Sequence, residues 1–325
     1  MHHIASFAVV ACLSAAHCLA ATPPTASYPD KAVRLLVLSP PGGGSDITAR
    51  AIAQKLTDQW RQNVIVDNRA GAGGVIGMEI TARAPADGYT MTLGSIGPVA
   101  VAPSLYSKPP YNPVRDFTPL ARTASALNLL VVHPSVPAHT VKEFIAYAKE
   151  KKGALNYGSG GVGATPFLAV ELFKSMVGFD AVHVPYKGGA PALADLMAGQ
   201  ISFMIENVPG TLPYVKDGKL RALAITSAKR LPLVPDLPTM QEAGVAGYEM
   251  VGWNGIFVPK NTPADIVGKL NAVLAKLLNS DAVKTQMAKL GAEPVGNPQP
   301  EFAAFVKSES IRWGKIIREN GIKPE

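Results

Sequence analysis

Two glycine-rich segments are the places in this chain where binding chemistry is most legible: PPGGGSD at 40–46 and GSGGVGATP at 158–166. Each closes a stretch of strand character and opens a stretch of helical spacing. Glycine removes the Cβ that would keep a ligand off the backbone, and the helix start behind it adds unpaired N–H groups and the positive end of a dipole. That combination suits an anion. In the second segment Thr165 is placed to cap the helix and Pro166 to occupy its first position.

Neither segment contains Lys or Arg. The donors are then uncharged: backbone amides around Gly43, Gly160 and Gly161, and the hydroxyls of Ser45, Ser95, Ser159 and Thr165. Four hydrogen bonds to a charged group, at about 1.5–3 kcal/mol each, supply roughly 6–12 kcal/mol before ordering costs. Micromolar binding requires about 8 kcal/mol, so no salt bridge is needed. Glycines also make tight turns without any ligand, but one such segment in each of two domains favours two facing halves of one site. Asp46 would repel an anion if it pointed inward. Its position in the first helical turn suits the dipole, and the functional alternative is to position a water or a ligand ammonium group.

Catalytic patterns fail on specific residues. Ser95 in LGSIG and Ser159 in YGSGG lack the first glycine of a nucleophile elbow, having Leu93 and Tyr157 there. His133, His139 and His183 have no metal-ligating spacing. RAGAGG at 69–74 is not a dinucleotide fingerprint, because Ile76 stands where the third glycine belongs. Only Asp46 and Glu206 remain as acids near the expected cleft. No catalytic residue, metal or cofactor is expected. Trp253 and Tyr186 fall in predicted loops, where they either line the cleft or pack in the core or hinge.

Residues 1–20, MHHIASFAVVACLSAAHCLA, read as a secretory signal cleaved near Ala20, and they hold both cysteines, Cys12 and Cys18. Thiolate and disulfide chemistry are then absent from the exported chain. With 325 residues, 47% hydrophobic and 17% charged, the chain has room for two globular domains. The formal charge of +7 is scattered, and the densest run, Lys149–Lys152, includes Glu150 at the end of a predicted helix. Nucleic acid is therefore not an expected partner.

The elements that must position the two segments alternate as strand and helix. Strands are predicted at Val33–Ser39, Asn63–Asp67 and Tyr89–Gly94, with helices between them. A second set follows: strands LNLLVVH, LNYGS, HVPY and ISFMIE, with helices at Thr140–Lys151, Pro166–Met176 and Pro191–Met197. Alternation of this kind implies parallel sheet with right-handed crossovers. Arg221–Thr226 and GIFVP at 255–259 add strands, and helices near 263–278, 281–289 and 299–319 return to the first sheet. The expected domains are 28–124 plus 228–325, and 125–227. Leu127–Val132 and Arg221–Thr226 are the expected crossings, forming a hinge that closes the domains on a ligand.

The segments YPDKAVRLLV, PPGGGSDITAR, VDNRAGAGGVIG, APADGYT, YNPVRDFTPLA, LNYGSGGVGATP, HVPYKGGAPAL and LRALAITSAKR follow one another along the chain. In these the chain resembles the Bug-type extracytoplasmic solute receptors of tripartite tricarboxylate transporters, over about residues 28–325. The resemblance implies a type II periplasmic-binding-protein fold, two α/β domains joined by two crossing strands, with a small carboxylate held between them. It also implies a monomeric periplasmic receptor that serves membrane subunits of a transporter, or an orphan sensor. By motif match the implied site comprises Gly42, Gly43, Ser45 and Asp46, then Ser95, then Ser159, Gly160, Gly161, Thr165 and Pro166, and Asn207. Phe167, Glu206 and Ser39 depart from the usual His, Asp and aromatic residue at those places, which bears on which acid is bound.

Overall fold

The computed structural model describes residues 28–42, 44–106, 108–289, 292–319 and 322. The expected signal with its cysteines, and Gly43, lie outside the described residues. The chain begins with β1 (Val33–Val37), α1 (Gly44–Trp60), β2 (Val64–Asn68), α2 (Val75–Ala82) and β3 (Thr90–Ser95). Short helices α3 (Ala102–Leu105) and α4 (Pro113–Asp116) lead into β4 (Phe117–Ala126). Helix α1 buries Ala49, Ile52, Ala53 and Leu56, a stripe at helical spacing that packs on the aliphatic β1.

The second set consists of β5 (Asn128–Val132), α5 (Val141–Glu150), β6 (Asn156–Ser159), α6 (Thr165–Val177), β7 (Val182–Pro185), α7 (Gly189–Met197) and β8 (Phe203–Asn207). Helix α8 (Val208–Lys216) and β9 (Arg221–Ile225) complete it. The chain ends with β10 (Gly252–Pro259), α9 (Ala264–Leu278), α10 (Asp281–Lys289), β11 (Ala292–Pro294) and α11 (Gln299–Glu319).

Two sheets result, a six-stranded one in the order β11-β4-β10-β3-β1-β2 and a five-stranded one in the order β7-β6-β8-β5-β9. Strand β1 runs parallel to β2 and β3, and β6 parallel to β7 and β8, as the alternation of elements requires. The other pairings are antiparallel: β10 with β3 and β4, and β5 with β8 and β9. Each sheet thus receives in its middle one strand arriving from the other lobe, and that strand enters in the opposite direction. An expectation of purely parallel sheet misses this, because it counts only local strand-helix-strand units.

Strand β4 of the first sheet runs into β5 of the second with only Leu127 between them. The return crossing lies later than expected. Past β9, Thr226 N–H donates to Asn128 O, Met240 N–H to Ile225 O and Met250 N–H to Thr226 O, each at 2.9–3.0 Å. The Tyr248 hydroxyl donates to Ala169 O on α6 at 2.8 Å. Residues 228–251, expected in the first domain, therefore pack on the second, and the chain recrosses at Val251–Gly252. Buried Met240, Val245, Tyr248 and Met250 hold them there, a pattern the prolines of this connector conceal in the sequence.

The C-terminal helices do return to the first sheet. On α11, Phe302 and Trp313 are fully buried, and a Cβ on Gly255 of β10 would lie 2.1 Å from Phe302 Cζ. In the second lobe Phe144 packs against Phe173, Phe179 and Phe203 at centroid distances of 4.9–6.1 Å. Aromatic pairs of this kind contribute about 0.5–1.5 kcal/mol each beyond their buried area.

Candidate ligand-binding site

Between the lobes lies a cavity of about 910 Å³. Its wall is built from loops at the carboxyl ends of strands in both sheets, where ligands of open α/β sheets sit. Among the described residues, four helices of nine residues or more start at it: α1, α6 and α7 with their first residues Gly44, Thr165 and Gly189 in the wall, and α8 with its cap Asn207 and second residue Pro209 there while its first residue, Val208, is buried. The positive dipole ends of these four helices lie around one space, although α8 keeps its own N–H groups for Leu127 O and Asn207 Oδ1. Sequence reasoning found two of the four. The others carried signals that were not used, the Gly188–Gly189 pair in HVPYKGGAP and the capping Asn207 ahead of Pro209.

Of the implied site residues, Gly42, Ser45, Ser95, Gly160, Gly161, Thr165, Pro166 and Asn207 line the cavity. Asp46 and Ser159 do not; both are buried behind the loops they belong to. Asp46 accepts from Gly42 N–H, Asn68 Nδ2 and Arg50 Nε, each at 2.9 Å. Burial alone would raise its pKa, but the bonds from Arg50, Gly42 and Asn68 outweigh this and hold the carboxyl below the usual range. It is an ionised clamp on the first glycine loop. Ser159 does the same with neutral chemistry: its Oγ accepts from Gly161 N–H at 3.1 Å and lies 2.7 Å from His183 Nε2. The Gly161 amide, expected to face an anion, is engaged by that serine, in a backbone conformation (φ 111°) suited to glycine.

The cap of α6 also moves. Ala164 has the extended cap geometry (φ −67°, ψ 151°), so Thr165 is the first helical residue and Pro166 the second. The Thr165 hydroxyl therefore does not cap the helix, and it stands at the cavity wall. Asn207 is itself a cap, its Oδ1 accepting from Gly210 N–H at 2.9 Å while its Nδ2 donates to Glu206 Oε1. Glu206, also in the wall, is 2% exposed, and burial pushes its carboxyl up to about 7 despite the two bonds from Asn207.

Aromatic residues add an apolar side to the wall. Trp253 lies in β10 rather than a loop, and its buried indole donates to Glu309 Oε2 at 3.0 Å. Tyr186 donates to Asp195 Oδ2 at 2.7 Å, and Tyr106 and Tyr214 complete the group. Lys187 is the only basic residue of the lining among the described residues.

The lobes meet at glycines. A Cβ on Gly97 would lie 2.2 Å from Gly163 O, and one on Gly73 2.5 Å from Val162 O, both across the cleft. At the cavity, Gly44 faces Asn207 Oδ1 across a would-be Cβ distance of 3.4 Å. Such contacts describe a closed arrangement that larger residues would prop open. Among the described residues no group of three or more His, Cys, Asp or Glu could hold a metal, and no helix is long and apolar enough to cross a membrane.

Residues 48–322 match the family TctC, described as the tripartite tricarboxylate transporter family receptor. Protein BugT of Bordetella pertussis is 37% identical over 298 residues, covering 91% of this chain and 91% of BugT. Among solved structures, an R. palustris protein with adipate is 39% identical with a TM-score of 0.88, covering 92% of this chain and 100% of that one. MatC from Rhodopseudomonas palustris with bound malate is 32% identical with a TM-score of 0.84, covering 89% of this chain and 100% of MatC. Two lobes around a donor-lined cleft and these matches agree, and the chain belongs to the tripartite tricarboxylate transporter family of solute-binding receptors.

Proposed function

We propose that this receptor closes its lobes over a small dicarboxylate in the periplasm and presents it to membrane subunits of a tripartite tricarboxylate-type transporter. The observation that carries this is the convergence of four helix N-termini, with the Ser45, Ser95 and Thr165 hydroxyls, on a cavity lined by a single basic residue. Such a wall neutralises carboxylate charge through many weak donors, while Trp253 and the tyrosines cover methylene groups. The relatives solved with adipate and with malate support the class of ligand. Residues 1–20 fit export, and the chain acts as a monomer without a cofactor or catalytic step.

A thermal-shift screen of mono-, di- and tricarboxylates and amino acids tests the reading. A true ligand at about 100 times its Kd stabilises the receptor by about 2.7 kcal/mol, and mass spectrometry should recover it unchanged. No shift with any acid of the panel would remove the carboxylate assignment, and recovery of a converted product would remove the receptor assignment.

A further inference from the structure

Among the described residues, Glu206 is the one carboxylate that lines the cleft. It projects from the end of β8, and its Oε1 accepts from Asn207 N–H at 2.8 Å and from Asn207 Nδ2. Its Oε2 is buried with no hydrogen-bond partner. This oxygen lies beside the first residue of α7, where a Cβ on Gly189 would approach it to 2.7 Å. A buried, half-satisfied acid in the wall of an anion site is costly when ionised, and no cation offsets that cost.

The surrounding elements supply no partner. Strand β5, paired with β8, carries no titratable residue. On β6, Tyr157 donates to Glu171 of α6, which also pairs with Lys174. On α7, Asp195 accepts from Tyr186. Helix α8 carries Tyr214 and Lys216, the β7–α7 loop carries Lys187, and across the cleft Asp46 on α1 is held by Arg50. Burial outweighs the Asn207 bonds that favour the ionised form and pushes the carboxyl up to about 7.

We propose that Glu206 makes this receptor a proton-linked binder, its carboxyl remaining neutral whenever an organic anion fills the cleft, so that ligand and proton are captured together. The inference rests on the carboxylate reading above. An anion in the cavity raises the cost of a second negative charge in the same wall, so the occupied receptor holds the proton to higher pH than the empty one. Affinity then falls as pH rises above about 7, by at most tenfold per unit for one proton, and is flat in acid. Selectivity follows as well, because an acid carrying an ammonium group would favour the ionised glutamate.

The test uses the full receptor with adipate as the probe, which is fully ionised throughout the range. Calorimetry at about pH 8 in two buffers of different ionisation enthalpy should show uptake of up to one proton, and Kd should rise several-fold between about pH 7 and pH 8.5. The Glu206→Gln receptor should take up no proton and bind with a pH-independent Kd. Constant affinity with no proton uptake by the wild type overturns the proposal, and that measurement decides the matter even if the variant misfolds. Unchanged pH dependence in Glu206→Gln overturns it too, as does affinity for 2-aminoadipate that falls with pH as steeply as that for adipate. A wild type that binds adipate at no pH but binds another acid moves the same measurements to that acid, where they uphold or overturn the proposal. Binding of no acid at all defeats the carboxylate reading and this inference together.

Discussion

Asp46 in the first lobe and Glu206 in the second are both 2% exposed at the two sides of one cleft, yet they are kept in opposite states. Asp46 has Arg50, Asn68 and a loop amide as partners and stays ionised below its usual range. Glu206 has only Asn207, and burial raises it to about 7. In each case the outcome is set by burial against donors: the bonds from Arg50, Gly42 and Asn68 outweigh the burial of Asp46, whereas the Asn207 bonds do not outweigh the deeper burial of Glu206. The ionised acid faces away from the cavity and shapes a loop, while the half-neutral one stands in the wall. A receptor for anions tolerates an acid in its wall only when that acid can be neutral.

The largest effect that would sharpen the comparison is loss of the clamp. Asp46→Ala leaves Gly42 N–H, Asn68 and Arg50 without their acceptor, and the fold should lose about 3 kcal/mol at neutral pH. Because the folded pKa is depressed, that contribution is present above the unfolded carboxylate value and fades as pH falls through the folded one. Urea denaturation of both proteins should therefore show a gap that narrows in acid. An equal gap at all pH values would mean that Asp46 acts by packing alone.

Glu206→Gln should produce the opposite slope. The wild-type pKa rises from 4.5 to about 7 on folding, and at 1.36 kcal/mol per unit ionising Glu206 costs the fold up to about 3 kcal/mol. Folded protein then holds the proton more tightly than unfolded, so wild-type stability declines as pH rises from about 4.5 to 7 and is level above. The glutamine protein should match the wild type near pH 4 and exceed it near pH 8, by about 2–3 kcal/mol. If the two denaturation curves run parallel across that range, Glu206 is stably ionised and the contrast with Asp46 disappears.

A smaller effect separates scaffold from surface within one loop. Ser159 is buried under the second glycine segment, whereas Thr165 of the same segment stands in the wall and caps nothing. Thr165→Val should leave the melting temperature within about a degree and weaken ligand affinity by roughly 10–150-fold, the worth of one hydrogen bond to a charged group. A loss of about 1 kcal/mol in stability with unchanged Kd would restore the capping role.

Much of the architecture is legible locally. The strand-helix alternation, the glycine turns and the returning C-terminal helices follow from periodicity and breakers, which act over a few residues. Strand β4 and helix α8 were hidden because Pro119, Pro209 and Pro213 interrupt their patterns, although Asn207 capping and the pairing of β4 with β10 and β11 override those interruptions. The uncharged character of the site was also visible, since neither glycine segment contains Lys or Arg.

The direction of each side chain was not visible. Asp46 turns from the ligand because Asn68, 22 residues away, meets it; Ser159 turns inward beside His183, 24 residues away. Trp253 is fixed by Glu309, 56 residues away. The sequence determined which donors and turns exist, because these depend on residue type and short-range pattern. Tertiary structure alone decided that four helix starts share one cavity, which polar groups face it and which acid there can hold a proton, because these depend on partners that only chain folding brings within hydrogen-bond distance.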